Sequence, residues 1–169
     1  MTDELKHLWA PWRMEYIRSD KTQNKNDCIF CEKLKSRKDT DNLILHRGKN
    51  AFVLLNLYPY NNGHLMVAPI SHTEKFSDLD SETKVELMEL CSNFQDVLEN
   101  ELNAEGVNLG ANFGDVAGAG IKDHLHFHVV PRWNGDTNFM PVTGHTKVMV
   151  EGLKETCEKL KIGYKKLKN

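Results

Sequence analysis

The chain has no apolar run near the roughly 20 residues that a membrane-spanning helix needs. It also lacks a dominant charge, because 22 basic and 24 acidic side chains leave a net charge of −2. A broad basic surface for duplex nucleic acid is therefore not expected. The first six residues are polar and acidic, unlike a secretory leader. We expect neither a membrane nor nucleic acid among its partners.

Cysteine is scarce, with four residues in 169. Cys28 and Cys31 form one C-x-x-C pair, whereas Cys91 and Cys157 lie in helix-like stretches. This usage is not that of a disulfide framework and suits a reducing compartment. We therefore expect a cytoplasmic protein.

The length predicts one main domain with an appended segment. Residues 1–26 are expected to form an amino-terminal arm and linker, and residues 27–169 a domain with a carboxyl-terminal extension. The arm carries Trp9 and Trp12, which are expected to pack on the domain or a partner subunit, or to contact substrate.

Short apolar runs separated by turn residues predict five strands, and helical spacing predicts one long helix between two shorter ones. The predicted strands are residues 43–46, 51–56, 64–69, 107–113 and 124–131. The predicted helices are residues 32–37, 78–103 and 147–160. Strands in short hairpins and one long helix favour an α+β fold with an antiparallel sheet.

Three histidines alternate with apolar residues at His124, His126 and His128. On a strand, alternate side chains share one face about 7 Å apart, so the three imidazoles are expected on one side of the sheet. They can be ligands of a catalytic zinc ion, or a metal-free nucleophile with a neighbouring proton donor. A third interpretation is that the three histidines are structural, with their ring nitrogens satisfied by hydrogen bonds.

A glycine-rich segment, residues 114–120, lies directly upstream of the histidines. Its glycines allow the backbone close to a ligand, and successive N–H groups can form an anion-binding concavity. This placement favours a phosphate cradle beside a nucleophile. Asn56, at the end of an apolar strand, and Asn112, just before the segment, are placed to bond a ligand hydroxyl.

Cys28 and Cys31 supply half of a tetrahedral zinc site, which needs two more nitrogen or sulfur ligands. His72 and His124 can supply them. The alternative is two buried thiols beside a surface histidine. A redox role is disfavoured because no thioredoxin-like βαβ pattern surrounds the pair. No motif pairs His46, His64 or His145 with other ligand or catalytic residues. We expect these histidines to be structural or exposed.

The stretch from His124 to Pro131 resembles the H-x-H-x-H motif of the histidine-triad (HIT) hydrolase and transferase superfamily. Residues 56–65 look like its N-x-x-P-x-x-x-G-H segment. Residues 8–13 and 131–139 resemble the prokaryotic branch assigned as diadenosine tetraphosphate phosphorylase, or ATP adenylyltransferase.

The resemblance implies a five-stranded antiparallel sheet and a homodimer in which two such sheets join. It implies that His126 attacks the α-phosphorus of a nucleotide, while His128 contacts the phosphate and helps to protonate the leaving group. Asn56 is implied at the ribose. The resemblance also implies a phosphate region around Asn112, Gly118, Ala119, Gly120 and Ile121, and a base pocket around Leu43, Ile44 and Leu55. Cys28, Cys31, His72 and His124 match the residues that hold structural zinc in metal-bearing relatives.

The chain departs from the family between the last glycine and the triad. Many members carry a glutamine and a serine or threonine there, whereas this chain has the apparently shorter Ile121-Lys122-Asp123. Lys122 is therefore a candidate for leaving-group recognition. Phosphorolysis of diadenosine tetraphosphate is the expected activity. The alternatives are hydrolysis of dinucleoside polyphosphates or nucleoside phosphoramidates, a non-catalytic AMP sensor, and a metal-dependent hydrolase.

Overall fold

A computed structural model describes residues 28–137, 149 and 151–169. Its sheet has five antiparallel strands in the order β1-β2-β3-β5-β4. The strands are β1 (Ile44–Arg47), β2 (Ala51–Leu55), β3 (Leu65–Pro69), β4 (Gly106–Ala111) and β5 (Phe127–Arg132). The predicted α+β architecture is confirmed.

Three α-helices accompany the sheet in the described residues: α1 (Ile29–Ser36), α2 (Ser81–Leu102) and α3 (Leu153–Lys168). The side chain of Asp80 caps α2 by accepting a hydrogen bond from the Thr83 N–H at 2.7 Å. The predicted end of α3 at residue 160 is wrong, because the helix continues through the basic tail to Lys168. Within these residues no helix has the length and apolarity to cross a membrane.

The buried face of α2 includes Leu87 and Leu90, whereas Val85 and Met88 are 55% and 39% exposed. The first turns of α2 lie beside the β1–β2 turn, where Glu86 accepts hydrogen bonds from two backbone N–H groups. These bonds fix the start of α2 against the turn.

The sheet has an apolar cluster on each face, which explains why every residue of β2 is buried. One cluster joins α2 and α3 to the sheet and includes Leu125 and Val129. The other is centred on Phe30 of α1 and includes Ile44, Phe52 and Met66. The predicted alternation is confirmed here, because Leu125 and Val129 share one face while His124 and His126 contact Phe30.

The histidine strand begins at Phe127, not at His124 as predicted. In the β3–β5 ladder Val67 pairs with Phe127, so Pro69 would stand opposite Leu125. Proline has no N–H to donate, and the Leu125 N–H instead bonds the carbonyl of Thr73 at 2.7 Å. The first two histidines therefore lie in irregular backbone ahead of the strand.

Residues 28–136 and 149–169 form one compact unit. The predicted boundary at residue 27, the tryptophan arm, His145 and the start of the last predicted helix lie outside the described residues.

Candidate functional site

The triad histidines lie on the α1 side of the sheet. His124 is fully buried and His126 is 4% exposed. The Phe30 ring lies 5.1 Å from the His124 ring and 5.2 Å from the His126 ring, between centroids. The rings of His126 and His128 are 4.9 Å apart. The second and third imidazoles can thus act on one ligand.

The proton of His126 is located by its hydrogen bond. Its Nδ1 lies 2.9 Å from the carbonyl oxygen of His124, and because a carbonyl only accepts, Nδ1 carries the hydrogen. The Nε2 atom then bears the lone pair. Burial lowers the pKa of His126, which keeps the ring neutral near pH 7. A neutral imidazole with a lone pair on Nε2 is a competent nucleophile.

The state of His128 follows from His64. The Tyr60 N–H donates to Nδ1 of His64 at 3.0 Å, so the hydrogen of a neutral His64 is on Nε2. That atom lies 2.9 Å from Nδ1 of His128 and donates to it. The hydrogen of neutral His128 is therefore on Nε2, where the ring can donate to a ligand oxygen.

Sequence reasoning missed the contact of His64 with the triad. This histidine was expected to be structural or exposed; it is fully buried, and it is bonded to a triad histidine. The Asn56 amide also contacts its Nδ1, at 3.3 Å. The available signal was its place in the G-H pair of residues 56–65, the segment that carried part of the family resemblance.

A second group of side chains meets beside the triad. The ligand atoms of Cys28, Cys31, His72 and His124 all lie within 4.8 Å of one another. Nδ1 of His124 is 3.2 Å from the sulfur of Cys28 and 3.7 Å from that of Cys31, and Nδ1 of His72 is 3.5 Å from the latter. The sequence prediction of this juxtaposition agrees with the geometry, and the group can hold a metal ion.

The donor set fits a tetrahedral cation. Zinc bonds of about 2.3 Å to sulfur and 2.0 Å to nitrogen require ligand atoms roughly 3.3–3.8 Å apart, close to the spacings observed. Nε2 of His124 lies 2.8 Å from the carbonyl of Pro69, so it carries the hydrogen and Nδ1 turns its lone pair to the sulfurs. Burial, then the adjacent Cys28, raises the pKa of the Cys31 thiol, and metal binding would displace its proton.

The three triad imidazoles do not converge on one point. Nδ1 of His124 faces the cysteines, Nδ1 of His126 faces a backbone carbonyl, and Nδ1 of His128 faces His64. This arrangement disfavours a three-histidine metal centre. His124 instead links the cysteine group to His126. Its ring faces the sulfurs, and its backbone carbonyl accepts the hydrogen bond from Nδ1 of His126.

The glycine-rich segment, residues 114–120, forms a loop, here called the glycine loop, that starts three residues after Ala111, the last residue of β4 and the partner of Phe127. Gly114 and Gly118 have φ values of 81° and 85°, which favour glycine. The N–H groups of Gly118 and Ala119 bond carbonyls within the loop at 2.9 and 3.2 Å. These two amides therefore close the loop itself, unlike the outward-facing cradle expected from the sequence.

The other predicted ligand residues take different positions. Asn112 donates to the Gly118 carbonyl at 3.4 Å, and Ile121 packs on the cluster that holds Phe30. Of the three residues suggested for the base pocket, only Ile44 belongs to that cluster. Leu43 and Leu55 pack in the cluster on the α2 side of the sheet.

Solved structures with the same fold carry the histidine-triad name. A zinc-bound histidine triad family protein from Mycobacterium smegmatis gives a TM-score of 0.68 at 24% identity, over 84% of this chain and 96% of that chain. A hypothetical histidine triad nucleotide-binding protein from Sulfolobus tokodaii gives 0.69 at 24% identity, over 83% and 94%. At this identity the likeness establishes the fold.

Sequence comparisons establish the family. The HIT domain model matches residues 37–135. An AP-4-A phosphorylase of Mycobacterium tuberculosis is 37% identical over 159 residues, which cover 91% of this chain and 82% of the relative. An adenosine 5'-monophosphoramidase of Saccharomyces cerevisiae is 29% identical over 105 residues, 62% of each. Both relatives are named as enzymes, and the present chain belongs to the HIT family.

Proposed function

We propose that the protein is a nucleotidyl transferase that cleaves adenine dinucleoside polyphosphates, with phosphorolysis of diadenosine tetraphosphate to ATP and ADP as its main reaction. The observation that carries the proposal is the lone pair on Nε2 of buried, neutral His126. The 37% identity to an AP-4-A phosphorylase supports this choice of substrate.

In the first step Nε2 of His126 attacks an α-phosphorus and forms a phosphorus–nitrogen bond. The bond from that phosphorus to the bridging oxygen breaks, ATP leaves, and AMP stays on the imidazole. Nε2–H of His128 donates a hydrogen bond to the departing oxygen, which keeps its negative charge and leaves as part of ATP. An oxygen of inorganic phosphate then attacks the same phosphorus, which forms ADP and frees His126. One difficult displacement becomes two easier ones.

The remaining predicted residues take supporting roles in this proposal. Asn56 bonds the ribose beside His64, and Ile44 borders the base. The phosphate chain lies along the glycine loop and its flanks, namely Asn112, Gly118, Ala119, Gly120, Ile121 and Lys122.

Zinc is the metal that we propose for Cys28, Cys31, His72 and His124. The bound ion supplies a structural cross-link between α1, the segment after β3 and the start of the triad. It takes no part in phosphoryl chemistry. The sulfur–nitrogen spacings support the assignment, and a reducing cytoplasm would keep the thiols available.

We further propose a homodimer joined through β4. This edge strand has no charged residue, and Leu109 at its centre is 52% exposed. Protein sheets normally protect an open edge with charges, bulges or a cover. The opposite edge, β1, has both an irregular register and a terminal arginine, Arg47.

Intact-mass analysis tests the central step. Protein mixed with diadenosine tetraphosphate and quenched in base should carry one AMP, whereas His126→Ala should carry none. ADP should appear only when phosphate is present. An adduct that survives the alanine substitution would refute His126 as the nucleophile.

Hydrolysis of dinucleoside polyphosphates or nucleoside phosphoramidates is the second candidate, supported by the yeast monophosphoramidase relative. It uses the same covalent step with water as acceptor, so it predicts AMP without added phosphate. A non-catalytic AMP sensor predicts AMP binding with no turnover of any phosphate ester or amide.

A further inference from the structure

The glycine loop is fixed to the triad at both ends. At its start Gly110 pairs with His128 and Ala111 with Phe127, immediately before the chain leaves β4. At its end Ile121 packs on the Phe30 cluster, three residues before His124. The backbone between these two anchors, and Lys122 directly after Ile121, is therefore held close in the fold to the strand that carries His128.

Lys122 is the sole lysine or arginine between residues 107 and 131, the span that holds the loop and the triad. The loop amides of Gly118 and Ala119 are occupied within the loop. Within this span, Lys122 is therefore the side chain that can offer a permanent positive charge to a polyphosphate chain.

The ammonium of Lys122 is already paired. Its Nζ lies 3.3 Å from Oδ2 of Asp115, and the two side chains are 55% and 70% exposed. The backbone of Asp115 is held in place because its carbonyl accepts the Gly118 N–H. An exposed pair at this distance is weak and exchanges readily with a stronger anion.

We propose that the Asp115 carboxylate pairs with Lys122 until the distal phosphates of a substrate replace it. This exchange makes the site select leaving groups with several negative charges. The inference rests on the proposed function and deepens it. Dinucleoside polyphosphates then react better than nucleoside phosphoramidates, whose leaving amine brings no negative charge to Lys122.

The test is a ratio of kcat/KM values, that for diadenosine tetraphosphate over that for adenosine 5'-phosphoramidate. Lys122→Gln should lower this ratio about tenfold, the usual size of a lost charged hydrogen bond. Asp115→Asn should raise the ratio about threefold because Lys122 is released from its competitor. The double variant should match Lys122→Gln, since Asp115 acts through Lys122.

Lys49 and Glu82 provide a matched control, because they form an exposed ion pair of 2.7 Å on the α2 side of the sheet. Lys49→Gln should leave the ratio unchanged. A ratio within twofold of the parent's in Lys122→Gln, or a double variant that behaves as the sum of the single ones, would overturn the proposal.

Binding separates this inference from the proposed chemistry. In a His126→Ala background, the ratio of the Kd for AMP to that for ATP should fall about tenfold with Lys122→Gln. This measurement decides the role of Lys122 even if no substrate is turned over. An unchanged binding ratio refutes it, whereas absence of a covalent adduct refutes only the proposed function.

Discussion

The Nε2 atom of His64 lies 2.9 Å from Nδ1 of His128, and this contact fixes which nitrogen of His128 carries its hydrogen. The Tyr60 N–H sets the orientation of the pair by occupying the other nitrogen of His64. A donor on Nε2 of His128 suits a hydrogen bond to the negative charge that develops on a leaving oxygen. His64 is therefore a positioning residue for His128.

Replacing His64 with asparagine should reduce kcat for diadenosine tetraphosphate by roughly 100-fold, the lower range for loss of one hydrogen-bond donor to a developing charge. The loss should be smaller for an AMP ester with a nitrophenolate leaving group, whose negative charge is delocalised over the ring and needs less stabilisation. Steady-state rates on both substrates measure the difference. Equal losses on the two substrates would contradict a role at the leaving oxygen.

Removal of both cysteine ligands should release the metal. For Cys28→Ala, Cys31→Ala we expect no stoichiometric zinc and a decrease in unfolding free energy of roughly 3–4 kcal/mol, the stabilisation from a tightly bound ligand. Metal content and urea unfolding measure the two effects.

The buried Cys91 provides the control for the metal experiment. Burial raises the pKa of its thiol to about 12, and it lies in the core cluster on the α2 side. Cys91→Ala should lose packing but retain one zinc per chain. Full zinc occupancy in the Cys28, Cys31 variant would exclude this group as the metal site.

Asp136 should contribute stability that depends on pH. Hydrogen bonds from Arg132, at 2.6 Å, hold the pKa of its carboxyl well below the usual range. Because the folded pKa is lower than the unfolded value near 3.9, the contribution is complete above that value and decreases as the pH falls below it.

Asp136→Asn should therefore lower the unfolding free energy by about 1 kcal/mol at pH 7, a value reduced for the half-exposed Arg132. The difference between parent and variant should shrink from pH 4 to pH 2, as measured by urea unfolding. Glu32→Gln, which breaks an exposed ion pair with Lys35, should change stability little at either pH. A constant difference across the pH range would refute the electrostatic explanation.

Leu109→Lys should convert the proposed dimer to monomers because it places a charge on the exposed edge strand. Sedimentation equilibrium measures the change. Val85→Lys is the matched control, since Val85 is 55% exposed on α2, away from the β4 edge. A monomeric parent, or a dimeric Leu109 variant, would contradict the edge-to-edge arrangement.

The strands, and the face of the sheet on which the triad lies, were predicted well from the sequence. The reason is that the alternation of Leu125, Phe127 and Val129 reflects which face of the strand is buried. It placed the start of β5 too early, since Pro69 ends the ladder on a different strand. The contact of α2 with the β1–β2 turn, through Glu86, was likewise not predictable from local sequence. Such effects depend on residues distant in the chain.

Only part of the site was predicted, because several of its contacts also join residues that are distant in the chain. The cysteine pair and His124 have a recognisable ligand chemistry, and their meeting agrees with the prediction. His64 has no such local signature, because its role depends on a hydrogen bond to a residue 64 positions away. The internal bonds of the glycine loop are likewise a property of its folded conformation.

The acceptor for the His126 proton is a main-chain carbonyl, and so is the acceptor for the His124 ring. A point substitution replaces a side chain but leaves a carbonyl in the backbone. A substitution at position 124 therefore leaves the tautomer of His126 unchanged as long as the local backbone conformation is kept. By the same argument, a protein of this fold without the two cysteines can keep the reactive tautomer of this imidazole.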